Sequence, residues 1–390
     1  VHRIDSPNVY PDKFGPGKDG WREGDVATGT PATETTDDWF DAVQEELAGV
    51  VESRGISLVK GTNTQLQSAL ESMLTSMAAS NWTEQANPGR YLQLGVCYGA
   101  DVVMSGVGEF VSVGAFDGVG AHILTSYDAV TWTTRANPKN FTLYGVCFGE
   151  GLFVAVGNAD GTDAYIVTSP DGVTWTERAN PKNFHLYSVC HDGSQFVAVG
   201  HADGTDAYIV TSPDGVTWTE RANPKNFHLY SVCHDGSQFV AVGHADGTDA
   251  YIVTSPDGIT WTEQANPKNF NLYGVCSGNG ILVAVGAADG TDAYIVTSPD
   301  GVTWTEQANT YNKELRGICF ANSVFVAVGK DVSASSYIIV SVDGENWSPK
   351  YNPEDEDLYS VCYGDGRFVI VGDVKAASDV YILTSLFTGV

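Results

Sequence analysis

Three successive stretches of the chain carry oxygen and nitrogen ligands at a fixed short spacing: Asn158 with Asp160 and Asp163, His201 with Asp203 and Asp206, and His244 with Asp246 and Asp249. Asn-Pro-Lys-Asn segments alternate with them, supplying Asn180, Lys182 and Asn183, then Asn223, Lys225 and Asn226. Amides, carboxylates and imidazoles on short loops are groups that hydrogen-bond sugar hydroxyls, with Tyr or Phe offering a flat apolar face. The Asp pairs also raise Ca2+, because Asp203 and Asp206 bring two carboxylates into one turn. The stretch lacks the ligand pattern and closing bidentate Glu of an EF-hand, so no cofactor beyond that Ca2+ is expected. A transition-metal belt through His201 and His244 is a weaker alternative. The plainer reading of any one of these residues is that Asp-Gly-Thr-Asp makes a good turn and Asn-Pro-Lys-Asn a good connector.

Catalysis finds little support. Glycoside hydrolysis needs two carboxylates at a set separation, and a sialidase-like site needs clustered arginines and a nucleophilic Tyr. Arginine recurs instead at one repeated place, as Arg135, Arg178 and Arg221. A Ser/His/Asp arrangement, a phosphate loop and a zincin motif are all missing. Near-identical repeats set near-identical side chains around an axis, which suits binding better than one asymmetric reaction centre, and the chain is read as a non-enzyme.

The elements that must carry these loops repeat every 43 residues. Cys recurs at 97, 147, 190, 233, 276, 319 and 362, and Trp at 82, 132, 175, 218, 261, 304 and 347, both stepping by 43 after a first step of 50. A period of this size points to a propeller, a helical repeat or an array. Within one unit, Leu229 to Cys233, Phe239 to Gly243, Tyr251 to Ser255 and Ile259 to Glu263 are short runs rich in Val, Ile, Tyr, Phe, Trp and Thr, each closed by Gly, Pro, Asp or Asn. Four short antiparallel strands per unit are the content of a propeller blade.

The first Trp copy lacks a preceding turn and the last unit lacks a Trp strand, so 81–85 is expected to supply the outer strand of the seventh blade, whose other strands come from 359–385. The expected fold is a mainly β, seven-bladed β-propeller with four-stranded antiparallel blades over 81–390, closed without a free sheet edge. Strand order places the fourth-to-first and second-to-third loops on one end, which is the candidate binding face. The tight hairpins fall on the other. The seven extra residues of the first unit, with the apolar run Val102 to Met104, fall on the hairpin end as a candidate contact. Blades six and seven replace the Asp-Gly-Thr-Asp loop, so a repeated ligand site is expected to be weakest there. The seven cysteines are odd in number and equivalent in place, hence read as buried structural thiols.

A formal net charge of -28 disfavours nucleic acid and acidic membranes as partners, since both are polyanions. Residues 1–33 are polar with Pro and Gly throughout, lack an apolar run suited to a signal peptide or membrane span, and are expected to form an extended attachment or oligomerisation arm. Over 34–80 two helices are expected. Trp39, Val43 and Leu47 form one stripe of the first, and Leu66, Leu70 and Met73 one of the second. Such helices cannot make a large core and should pack on each other, on the propeller or across an oligomer.

Arg3 to Asp5, Thr30 to Thr33, Trp39, Ala42 to Glu46 and Asn63 to Leu66 carry a resemblance. Over residues 1–75 the chain resembles the N-terminal segment of tailed-bacteriophage tail fibres and related tail proteins. That resemblance implies a virion-attached protein, often trimeric, whose partners are other tail or capsid proteins and whose distal part contacts a host. The repeated Ser-x-Asp-Gly-x-x-Trp, as at Ser212 to Trp218, resembles the Asp-box of sialidase-like propellers, shortened by one residue, and is structural in that family. The leading reading is a homo-oligomeric, trimer-favouring virion protein that recognises a host surface glycan or protein through its propeller. A virion spacer or decoration protein without host binding is the first alternative. A glycan-cleaving propeller is the second.

Overall fold

The computed structural model describes residues 47–52, 65–66, 82–86, 91–100, 108–116, 121–159, 161, 164–202, 204, 207–248, 250–291, 293–309, 312–330, 337–353, 356–374 and 380–386. Contacts divide the chain into two compact units, Val1–Ser76 and Met77–Val390. In the first, residues 47–52 and 65–66 are helical. Val51 is buried there, Leu47 is exposed and Leu66 is half-buried. Trp39, Val43, Leu70 and Met73 of the expected helical stripes lie outside the described residues.

The second unit is a seven-bladed β-propeller of four-stranded antiparallel sheets. Its fourth blade shows the plan, running inside to out through Leu229–His234, Phe239–Ala245, Ala250–Ser255 and Thr262–Gln264. The blade completed by the two ends of the domain pairs Thr83–Glu84 with the strand Val380–Leu386, beyond which lie Arg367–Val374 and Leu358–Gly364. Trp82 joins the core there, packing with Tyr381 and Leu383. This is the closure read from the complementary gaps in the repeat.

The core lies between blades. Phe239, Tyr251, Val253 and Trp261 of the fourth blade pack against Val197, Val199 and Ile209 of the third, and equivalent clusters recur around the ring. The second and third strands are therefore covered on both faces, which explains why Phe239-Val-Ala-Val and Tyr251-Ile-Val read as continuous apolar runs rather than alternating ones. Burying each such Phe or Val contributes about 1.5–3 kcal/mol.

The Asp-Gly hairpins hold the third strand to the fourth. Asp214 Oδ1 accepts the Ser212 hydroxyl at 3.0 Å and the amides of Val216 and Thr217 at 2.8 Å each. Trp218 Nε1 donates to Gly215 O at 3.1 Å, and Gly215 takes a φ of 70° that suits glycine. Hydrogen bonds from the Thr217 and Val216 amides pull the Asp214 carboxyl below its usual pKa. The motif thus acts as a turn lock, as its likeness to an Asp-box implies.

Candidate functional site

Every innermost strand carries a β-bulge near its first residue. In the fourth blade Leu229 pairs with Gly243 and Ser231 with Val242, so Tyr230 is the unpaired extra residue. The same shift isolates Leu94, Tyr144, Tyr187, Tyr273, Arg316 and Tyr359. A bulge re-aims one side chain out of the alternating pattern. These seven side chains line a cavity of ≈ 360 Å³ around the axis. The bulge also drives the inner strand against its neighbour. A Cβ at Gly243 would lie 1.9 Å from His228 O, and one at Gly200 2.0 Å from His185 O, which requires glycine at the close of Phe-Val-Ala-Val-Gly.

The bulges fall where the inner strands start, on the end of the ring formed by the fourth-to-first and second-to-third loops, so the cavity opens on the face that the sequence singled out. Successive tyrosines form a wall. Ring centroids are 5.3 Å apart for Tyr144 and Tyr187, 5.7 Å for Tyr187 and Tyr230, and 5.4 Å for Tyr230 and Tyr273, all tilted or edge-on. Arg316 continues it, its guanidinium 5.0 Å from the Tyr273 centroid and 5.7 Å from that of Tyr359, with an ion pair to Glu314. Burial pushes the Tyr187 and Tyr230 hydroxyls up to about 12, each also raised by a neighbouring tyrosine, while Arg316 works against the shift at Tyr230. Burial followed by the nearby Asp373 and Asp357 takes Tyr359 to about 12 as well. The Tyr187, Tyr230 and Tyr359 phenols are therefore neutral at physiological pH. Tyr144 donates to Asn158 Oδ1 at 2.8 Å and Tyr273 accepts from Asn271 Nδ2 at 3.1 Å, whereas the Tyr187 and Tyr230 hydroxyls meet no hydrogen-bond partner among the described residues.

Next to the tyrosines the axial space is lined by Ser188, Ser231, Ser360 and the glycines at the same position, and by Val189, Val232 and their equivalents. Ser188 Oγ accepts the Val232 amide and Ser231 Oγ the Val275 amide, both at 3.3 Å, tying each inner strand to the next. The cysteines turn away from this lumen into the clusters between blades, and burial raises their thiol pKa values above the ordinary one. All are unpaired thiols, and among the described residues no group of three or more His, Cys, Asp or Glu side chains is placed to hold a metal ion.

The loop residues surround the mouth and are engaged within the fold. Asn180 and Asn223 are buried, accepting the hydroxyls of Tyr208 and Tyr251 in the next blade at 2.6 and 2.7 Å. Asn183 and Asn226 accept the amides of Gly161 and Gly204 in the preceding blade's loop, each at 3.0 Å. Lys182 pairs with Glu220, and Lys225 bridges Glu263 and Asp246, the latter at 2.6 Å. His201 and His244 bond the carbonyls of Ala202 and Ala245 through Nδ1 at 2.6 Å. Asp160, Asp163, Asp203, Asp206 and Asp249, and with them the Ca2+ expectation, lie outside the described residues, as does the Val102 to Met104 run.

Two histidines absent from the sequence reading clasp adjacent blades: His185 Nδ1 accepts the Ala159 amide and His228 Nδ1 the Ala202 amide, both at 2.9 Å. Burial, reinforced by His201, His244 and His185, lowers His228 to about 4, so it stays neutral and an acceptor. The tyrosine ring was also missed. Its signal was legible as Tyr three positions before each Cys in five units, with Leu94 and Arg316 as the departures, together with a glycine inside a recurring strand.

Residues 185–315 match the DUF6242 beta propeller domain, less than half of the chain. Among solved structures, YCF48 bound to D1 peptide superposes with a TM-score of 0.58 at 13% identity, over 79% of this chain and 97% of that one. The WD40 beta propeller domain of Doa1 gives 0.55 at 14%, over 79% and 96%. The extracellular domain of BT4673 from B. thetaiotaomicron gives 0.54 at 10%, over 79% and 40%. At these identities the likeness is one of fold. A further stretch of 76 residues is 53% identical to the uncharacterized protein StfP of Escherichia coli (strain K12), covering 20% of this chain and 36% of that protein. The chain thus spans about a third of that relative's length. No helix among the described residues is long and apolar enough to cross a membrane.

Proposed function

We propose that this chain is a recognition protein of a tailed-phage virion, carried by its N-terminal region and binding a host surface glycan at the axial mouth of its propeller. The observation that carries the binding reading is the ring of Tyr144, Tyr187, Tyr230, Tyr273 and Tyr359 with Arg316, set by seven bulges around a cavity of ≈ 360 Å³. That volume sits at the lower end of the about 300–1,000 Å³ of small-molecule sites, which suits the end of a sugar chain. Phenol faces stack on the apolar face of a pyranose, and the Tyr187 and Tyr230 hydroxyls hydrogen-bond its oxygens. The virion assignment rests on the resemblance of residues 1–75 to tail-fibre N-termini.

A peptide is the second ligand class, favoured by the fold shared with YCF48, which is bound to a D1 peptide. Binding of fluorescent protein to Escherichia coli K12 and a panel of other enteric strains tests both. Saturable binding that periodate treatment of the cells abolishes and Tyr187→Ala/Tyr230→Ala removes supports glycan capture at the mouth. Binding that protease removes and periodate spares replaces the glycan with a protein. A folded protein that binds none of the strains returns the chain to a virion spacer.

A further inference from the structure

The mouth departs from sevenfold symmetry at two places, Leu94 and Arg316, which flank Tyr359 in the ring. Repetition explains the tyrosines; these two it does not. Among the described residues Arg316 is the one charged side chain in the lining, and no carboxylate shares that lining with it. Its guanidinium is fixed by the Tyr273 and Tyr359 rings on its faces and by Glu314 at Nη2, yet the side chain is 34% exposed. Nε is buried, with no hydrogen-bond partner among the described residues, so the exposed part of the side chain is the Nη end. A guanidinium held in this way presents a pre-organised planar donor set.

Resting on the reading of the mouth as a glycan site, we propose that it selects a glycan end bearing an anionic oxygen group, a carboxylate or a phosphate, and that Arg316 binds that group. The sugar ring then lies against Tyr187 and Tyr230, whose neutral hydroxyls add donors and no negative charge. Tyr187 and Tyr230 thus offer donors to the ligand, whereas Tyr144 gives its proton to Asn158 and Tyr359 bonds Asp357. Carboxylates stand beside the ring: Glu314 pairs with Arg316 itself, Asp357 bonds the Tyr359 hydroxyl and Asp373 lies near it, while Lys330 pairs with Asp357 at 3.1 Å. Together with a formal charge of -28 on the whole chain, they leave no long-range attraction for an anion, so selection operates by contact. Charge-assisted bonds to an arginine fork are the interaction strong enough to act that way.

Calorimetric titration of the full chain with a tetramer of galacturonate, a tetramer of glucose, and glucose 1-phosphate tests the assignment. The expected result is at least tenfold tighter binding of the galacturonate tetramer than of the glucose tetramer, with the sugar phosphate distinguishing a phosphate-preferring from a carboxylate-preferring mouth. Arg316→Gln is expected to bring the acidic tetramer down to the neutral one while glucose-tetramer binding persists, and Arg316→Lys to retain part of the preference. Tyr187→Phe should weaken both tetramers alike. Equal binding of both tetramers by the parent protein overturns anion selection and leaves the glycan mouth standing. Retained preference in Arg316→Gln, or loss of both tetramers by that variant with its fold intact, overturns the role of Arg316. Absence of binding by all three probes overturns the glycan mouth as well.

Discussion

Glu109 is the buried carboxylate that the repeat itself argues against. Its side chain is fully buried, and neither oxygen has a hydrogen-bond partner among the described residues. At the equivalent place Gln195 donates to Asp257 O at 2.9 Å and Gln238 to Asp300 O at 2.8 Å, each spanning 62 positions to the hairpin of the next blade. The same step from Glu109 reaches Asp171, and a Cβ at the adjoining Gly172 would lie 2.3 Å from Glu109 Oε2, so the carboxylate already sits against that turn. When ionised it can only present an acceptor to an acceptor there. Burial raises its pKa, with Asp171 adding to the rise, while the nearby Thr125 hydroxyl and Arg135 offset part of it.

Glu109→Gln keeps the shape, removes the buried charge and supplies the donor its equivalents use. Relief of an unpaired buried group and gain of one hydrogen bond predict about 2 kcal/mol of stabilisation, or about 4 °C in the midpoint of thermal unfolding of a domain this large. The gain depends on pH in a definite direction. With the folded pKa above the unfolded one, the folded protein binds the extra proton in the window between them, so the parent loses stability as pH rises through it. The difference between variant and parent should therefore grow as pH rises from near the ordinary Glu value of 4.5 and level off above the raised one. Thermal and urea unfolding at pH 4 and pH 8 measure it. A variant no more stable than the parent at pH 8, or a difference equal at both pH values, refutes the reasoning.

The other expectations are more local. Asn223→Ala removes the acceptor of the Tyr251 hydroxyl and should cost about 1 kcal/mol in urea unfolding while leaving ligand binding unchanged. His228, with a folded pKa of about 4 against 6.5, should contribute stability above pH 6.5 that is lost as pH falls toward 4, because the unfolded chain takes up the proton first. In the next blade Asn271 makes the same clasp to the Ala245 amide at 2.8 Å, so His228→Asn should flatten that part of the pH profile without loss of stability at pH 7.5. Trp82→Ala empties the core of the blade that closes the ring and should cost about 3–5 kcal/mol, read as the shift in the unfolding midpoint.

The sequence by itself determined the architecture. A 43-residue period with four apolar runs per unit admits few folds, and the complementary gaps at the two ends of the repeat left one way to close the ring. Periodicity succeeds here because each blade repeats the same local solution, the alternation and the turn chemistry being properties of short stretches. The same periodicity pointed to the loop end as the working face and to Asn180, Asn223 and Lys225 on it, since polar residues on loops look alike whether they meet a ligand or one another. Only the tertiary structure decided that they bind the next blade, because their partners Tyr208, Tyr251 and Glu263 lie in a neighbouring repeat. It also decided where the tyrosines go. In an unbulged strand Tyr230 would follow the alternation of its neighbours, and it is the register shift beside Gly243 that turns it to the axis. Arg316 and Glu109 look like ordinary drift between repeats when read along the chain. What sets them apart is what the other copies place around them, a ring of tyrosines in one case and a sealed hairpin carbonyl in the other.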